Sequence, residues 1–262
     1  MYIIKKRQDN HGKHQEIKIE KIMKNNLPVY IWTANQQMCC LPAWAYLFNK
    51  FWPTDTNVTV LGYDIPDFEL PKNFKYISLG KQRGPKFWSD DMIDYFSTCT
   101  DEYFYLTTED GFIIKPVNAR VLDYLTEIMM TNLESNLLRI CLTKDVSHRP
   151  HNVLDDLGDF QLISAGDNTQ YRNSLQHSIW NRKNFLKELP LQCNPWEFEI
   201  NTGKHNDMNI LATKSIYALH VGHGYKKGHK IKEWYVDCND RSQRLDESEV
   251  QKIENNNWVP EI

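Results

Sequence analysis

Two adjacent carboxylates, Glu109 and Asp110, close an aromatic-rich run, Tyr103-Phe104-Tyr105-Leu106, and a second short apolar run ending at Pro116 follows them. A run that is apolar on both faces suits a central strand covered from above and below. Open α/β sheets collect ligands outside the carboxyl ends of such strands, so the chemistry on offer is metal coordination or substrate binding. The same pair also fits a polar turn, in which Asp is favoured. A second pair, Glu197 and Glu199, lies in Asn194-Pro195-Trp196-Glu197-Phe198-Glu199. Asn at the cap, Pro at the first position and Glu at the third describe a helix start, which explains Glu197 and leaves Glu199 less explained. His148, His151, Asp155, Asp156 and Asp159 share a polar connection. A metal cluster and phosphoester hydrolysis are conceivable there, although a spacing of three within a Pro-containing loop gives no helical face and no zinc signature. Two loops carry cations. One, 79–85, brackets Lys81 and Arg83 with glycines and either holds phosphate or merely connects elements. The other, 220–229, combines His220, His223 and His229 with Lys226 and Lys227 among glycines, as a loop closing over an anion or as a solvated turn.

A chain of 262 residues with 41% hydrophobic content suffices for one large domain or two small ones. A formal charge of −3 excludes a general polycation, so no nucleic-acid partner is expected. Six cysteines, at 39, 40, 99, 141, 193 and 238, form no CxxC pair, and reduced cytoplasmic thiols are the expectation. No apolar run approaches the ~18 residues of a membrane span, and no signal peptide is expected. Residues 1–26 carry seven Lys/Arg against three acids, which suits either contact with an anionic surface or an appendage of one short strand and a short helix.

Residues 29–33 read as a strand followed by the polar turn 34–37. Apolar residues at 41, 44, 45, 48, 51 and 52 then predict a helix with Pro42 in its first turn and Pro53 as its stop. Residues 57–62 complete a β-α-β unit, which places Thr33, Ala34, Asn35 and Asp64 on one rim of a sheet. Neither GxGxxG nor GxxxxGK[ST] follows the first strand. Further strands are expected at 74–78, 137–142, 160–164 and 174–180. Ser89, Asn118 and Asn181 should cap helices, a hairpin should occupy 210–220, and a terminal extension should begin beyond Trp234.

The strings YFYLTTEDGFIIKPVN, YRNSLQHSIWNRKNFL and NPWEFE, in that order, resemble nucleotide-sugar glycosyltransferases of the GT-A type, close to small bacterial and viral capsule and lipopolysaccharide transferases. The resemblance implies an α/β fold: a single GT-A-like, Rossmann-like domain over 28–232 with a mixed, mainly parallel sheet flanked by helices. A basic extension at 1–27 and a C-terminal extension at 233–262 would flank it. It also implies transfer of a sugar from a UDP- or GDP-sugar to a glycan or lipid-linked acceptor. Mn²⁺ or Mg²⁺ would be held by Asp110 and His220, and Thr33, Ala34, Asn35, Asp64, Arg83, Glu109 and Lys226 would serve the donor. The family's Asp-x-Asp stands here as Thr108-Glu109-Asp110, so only Asp110 matches the metal-ligating carboxylate and Glu109 is left to orient a sugar hydroxyl or face solvent. An acceptor hydroxyl needs a base, for which Glu197 and Glu199 are the candidates. A cytoplasmic location is expected, with peripheral membrane association left open. The alternatives are a non-catalytic carbohydrate- or nucleotide-binding module on the same scaffold, and a metal-dependent phosphoesterase.

Overall fold

The computed structural model of the protein describes residues 4–8, 14–18, 27–166, 169–203, 207–226 and 229–261. In chain order it contains β1 (Ile4–Gln8), β2 (His14–Lys18), β3 (Val29–Trp32), α1 (Leu41–Phe51), β4 (Val58–Gly62), β5 (Phe74–Ser78) and α2 (Trp88–Thr98). Then come β6 (Tyr103–Thr108), β7 (Gly111–Ile113), α3 (Ala119–Thr131), β8 (Leu137–Cys141), β9 (His151–Asp156), β10 (Gln161–Ala165), β11 (Ser178–Asn181), α4 (Arg182–Glu188) and α5 (Pro195–Asn201). The last are β12 (Asn209–Lys214), β13 (Val221–His223), β14 (Tyr225–Lys226), β15 (His229–Lys230) and α6 (Glu247–Asn255).

A sheet of nine described strands runs in the order β5-β4-β3-β6-β11-β8-β12-β10-β9. β5, β4, β3 and β6 are mutually parallel, and only β11 and β10 oppose the prevailing direction, so the sheet is mixed and mainly parallel. The chain winds outward from β3 to β5 and then returns to place β6 on the other side of β3. The β3/β6 boundary is therefore a topological switch point, where the two loops leaving the strand ends diverge and open a crevice.

Both faces of the sheet are covered, which is why its central strands are apolar throughout. One face packs Trp44, Phe48, Val121 and Leu125 of α1 and α3 against Tyr105 and Ile140. The other packs Trp88, Phe96, Phe185 and Phe198 of α2, α4 and α5 against Phe104, Leu106 and Trp180. Phe96 stacks on Phe104 with ring centroids 4.1 Å apart. Asn118, Asn181 and Asn194 accept hydrogen bonds from Val121, Asn184 and Glu197 N–H at the starts of α3, α4 and α5, as their sequence positions predict.

Several elements differ from the sequence reading. Ser89 is no cap: it is buried inside α2, where its hydroxyl accepts from the Cys193 N–H at 2.9 Å. The polar connection before residue 160 contains β9, an edge strand hydrogen-bonded to β10. The expected hairpin at 210–220 is the single strand β12. Its would-be partner segment continues to β13, which pairs with β7, because the buried Val221 packs into the main core. Residues beyond 233 are no loose extension, since Trp234, Leu245, Ile253 and Val259 are buried in that same core. At the N-terminus, where one short strand and a short helix are expected over 1–26, the described residues form two strands, β1 and β2, paired antiparallel, and the rest of that stretch lies outside the described residues.

Candidate active site

The crevice at the switch point opens into a cleft of about 1570 Å³. Two sets of elements build it. The first is the parallel rim. Register pairs Trp32 with Thr108, so the turn after β3 lies beside the turn after β6. Ala34, Thr108, Glu109 and Asp110 all line the cleft there. The Thr108 hydroxyl donates to Asp110 Oδ1 at 2.6 Å, and the Asp110 carbonyl accepts from Gly224 N–H at 2.7 Å. Thr108, which stands where the family pattern has an acid, is thus a neutral donor that orients the remaining carboxylate.

Glu109 does not face solvent. It is 2% exposed, one carboxyl oxygen has no partner, and burial reinforced by the charge of Asp110 pushes its pKa well above the carboxylate range. The backbone N–H groups of Glu109 and Ala34 oppose that shift only in part.

The second set is late in the chain. β13 lies antiparallel on β7 with His223 opposite Gly111, which carries His223, Tyr225 and Lys226 to the acidic rim. β11 runs antiparallel to β6, so Gln176 and His177, just before it, flank the end of β6. His177 is fully buried, its Nδ1 hydrogen-bonded to the Tyr105 hydroxyl, and burial pushes its pKa down to about 3. Gln176 Nε2 lies 3.2 Å from His223 Nε2. Helix α5 brings Glu199, whose Oε1 accepts from Leu175 N–H at 2.7 Å and whose pKa burial raises. Trp196 on the same helix lines the cleft while 62% exposed.

Of the residues singled out in the sequence, Ala34, Thr108, Glu109, Asp110, Glu199, His223 and Lys226 share this cleft. The others lie elsewhere. Thr33 is buried, its hydroxyl bonded to the Ala34 carbonyl. Asn35 and Asp64 clasp each other, Nδ2 to Oδ2 at 2.7 Å, and Asn35 lines a side pocket of about 430 Å³. That side pocket shares Gln36, Gln82, Gly84 and Pro85 with the main cleft. Arg83 turns away to Asp91, 2.5 Å distant. Glu197 closes a capping box with Asn194, the arrangement its position predicted, and its carboxylate is spent on the Asn194 N–H. His220 Nδ1 is 3.0 Å from Asp237 Oδ2 and does not line the cleft. Lys227 and Gly228 lie outside the described residues.

Among the described residues no three His, Cys, Asp or Glu side chains converge as a metal cage, in the 148–159 stretch or elsewhere. His148 bonds the Asn239 carbonyl and His151 the Arg149 carbonyl. No described helix is long and apolar enough to cross a membrane. The residues missed by sequence reasoning, Gln176 and His177, had one signal: with Ser178 they form a polar run between Leu175 and Ile179.

No protein-family model matches the sequence, and no curated protein matches it. Among solved structures the chain is similar to a CMP:2-keto-3-deoxy-manno-octonic acid synthetase complexed with CTP, at 13% identity over 74% of this chain and 91% of that one, with a TM-score of 0.39. It is also similar to a cytidylyltransferase from Leptospira borgpetersenii serovar Hardjo-bovis (strain JB197), at 10% identity over 90% of this chain and 97% of that one, with a TM-score of 0.42. Both likenesses are faint.

Proposed function

We propose that the protein is a glycosyltransferase that moves a sugar from a nucleotide-diphospho-sugar, a UDP- or GDP-sugar, to the hydroxyl of a glycan or lipid-linked acceptor. The observation that carries this reading is the pairing of Asp110 and Glu199 across one switch-point cleft whose exposed lining includes Lys226, Lys232 and Arg241. At about 1570 Å³ the cleft exceeds the ~300–1,000 Å³ typical of a single small ligand, as a site for donor and acceptor together must.

The donor set fits a divalent cation shared with a diphosphate. One carboxylate, Asp110, oriented by Thr108, would hold Mg²⁺ or Mn²⁺ while phosphate oxygens and water complete the shell. Such a cation, when bound, neutralises charge on the departing diphosphate. Lys226, Lys232 and Arg241 add positive charge for the same phosphates. Glu199 serves as the base. As the acceptor oxygen bonds to the anomeric carbon, its proton passes to the Glu199 carboxylate and the bond from that carbon to the diphosphate oxygen breaks. Burial that raises the Glu199 pKa brings it nearer the working pH, which strengthens a base.

Calorimetry with a panel of UDP-, GDP- and CDP-sugars, with and without Mn²⁺, followed by assay of hydrolysis and transfer, tests the reading. Binding with turnover supports it. Binding without turnover assigns the scaffold to a non-catalytic module, and the absence of binding removes the nucleotide-sugar reading altogether.

A further inference from the structure

A buried polar atom left without a hydrogen bond costs about 1–3 kcal/mol, and folded proteins keep few of them. Apart from four indole N–H groups, five buried side-chain atoms among the described residues have no partner: Glu109 Oε2, Asp145 Oδ2, Asn173 Oδ1, Gln176 Oε1 and His177 Nε2. Three of these five, on Glu109, Gln176 and His177, belong to residues that line the cleft. They are also close in the fold, since β11 pairs with β6 and Glu109 follows the end of β6.

Two of the three side chains are held by one polar atom and leave the other without a partner. Tyr105 engages Nδ1 of His177, and His223 engages Nε2 of Gln176. The His177 imidazole packs against Gly111, where a Cβ would sit 2.5 Å from its Nε2 and displace the ring. A hydroxyl group both donates and accepts, so it satisfies the Gln176 amide oxygen and either tautomer of His177. No Lys or Arg belongs to this group, whereas the cations that line the cleft are exposed.

We propose that Gln176 and His177, with Glu109, form a subsite that reads the hydroxyl groups of an uncharged sugar ring, the transferred moiety of the donor. The phosphates are drawn instead to the exposed cations, so the two ends of one ligand meet two chemically distinct parts of the cleft. This assignment rests on the nucleotide-sugar reading of the cleft, and it makes Gln176 and His177 specificity-determining residues.

The test is calorimetry on the full chain with Mn²⁺. UDP-glucose, UDP-galactose, UDP-N-acetylglucosamine and GDP-mannose are each compared with UDP or GDP, in wild type, Gln176→Leu and His177→Phe. The expected result is that at least one nucleotide sugar binds wild type ~10-fold or more tightly than its own nucleoside diphosphate. That advantage should shrink below ~3-fold in both variants, with affinity for the bare nucleoside diphosphate unchanged. Equal weakening of conjugate and nucleoside diphosphate would assign the subsite to the nucleotide and overturn the proposal, as would retention of the advantage in Gln176→Leu, whose partly exposed position tolerates the change. Wild type that binds UDP or GDP but gains nothing from the sugar overturns the subsite alone. Wild type that binds no nucleotide overturns the nucleotide-sugar reading and the subsite with it.

Discussion

On one wall of the cleft the chemistry hangs from parallel neighbours: register alone, Trp32 against Thr108, sets the turns after β3 and β6 side by side, and Thr108 holds Asp110 from within the same turn. On the other wall the groups arrive from far along the chain, Gln176 and His177 by an antiparallel strand, Glu199 by a capped helix, and His223 and Lys226 by a ribbon laid on β7. Position on the first wall is a product of local geometry. Position on the second depends on long-range packing, with His177 seated on Tyr105 and Gly111, and Glu199 on the Leu175 N–H. The lesson is that adjacency in sequence says little about shared work: Glu197 and Glu199, two residues apart, are a structural cap and a cleft acid.

That last contrast can be broken directly. Glu199→Gln should lower the turnover of donor and acceptor by ~10²–10⁴-fold, the range of general-base catalysis, while Glu197→Gln should leave turnover within about twofold. In wild type the acid limb of the rate profile should fall above the ordinary carboxylate range. The base works ionised, so activity is lost as pH drops through the raised pKa of Glu199. A limb at or below the usual Glu value would remove Glu199 from the role.

Within the first wall, Thr108→Val removes the donor to Asp110 and should cost about 1–3 kcal/mol of transition-state stabilisation, read as a ~5- to 150-fold fall in kcat/KM. Thr108→Ser should recover most of it, because the hydroxyl is the working part.

The second wall has a signature in stability. His177 is held neutral by burial, with its pKa lowered to about 3 from 6.5. Between these values the unfolded chain binds the proton and the folded one does not, so folding stability falls as pH drops below 6.5. At pH 5 the loss should reach about 2 kcal/mol, at ~1.4 kcal/mol per unit. It should be absent from the profile of His177→Phe and so remain in the difference between wild type and that variant. Glu109 acts in the opposite sense, because its raised pKa lowers stability as pH rises from the unfolded carboxyl value of 4.5. The comparison is therefore made as wild type minus His177→Phe by denaturant titration at each pH. The smallest effect belongs to the cap: Glu197→Gln should reduce stability by under about 1 kcal/mol, since glutamine also completes a capping box.

Much of the fold was legible in the sequence because its signals are local. The spacing 41, 44, 45, 48 placed α1, β-branched and aromatic runs placed β3, β4 and β6, and three Asn residues announced three helix starts. The ribbon of β7 and β13 was not legible, since each partner is three residues long and the pairing joins positions about 110 apart. The same reason hid Ser89, which carries every local mark of a cap and is instead consumed by Cys193 from across the domain. In the cleft, Asp110 was legible from its place after an apolar strand. Arg83 was not, because an ion pair with Asp91 draws it out of a loop whose neighbours, Gln82, Gly84 and Pro85, do line the site. His177 escaped because its environment, made by Tyr105 and Gly111, exists only once β11 docks on β6.

The most direct test of the account is Asp110→Asn, assayed for hydrolysis and transfer of the best-binding nucleotide sugar beside a thermal melt. The predicted result is a loss of ~10²–10³-fold in kcat with an unchanged melting transition, as expected when a group that stabilises charge in the transition state is removed from an intact site. Turnover within about threefold of wild type, in a variant that melts normally, would contradict it.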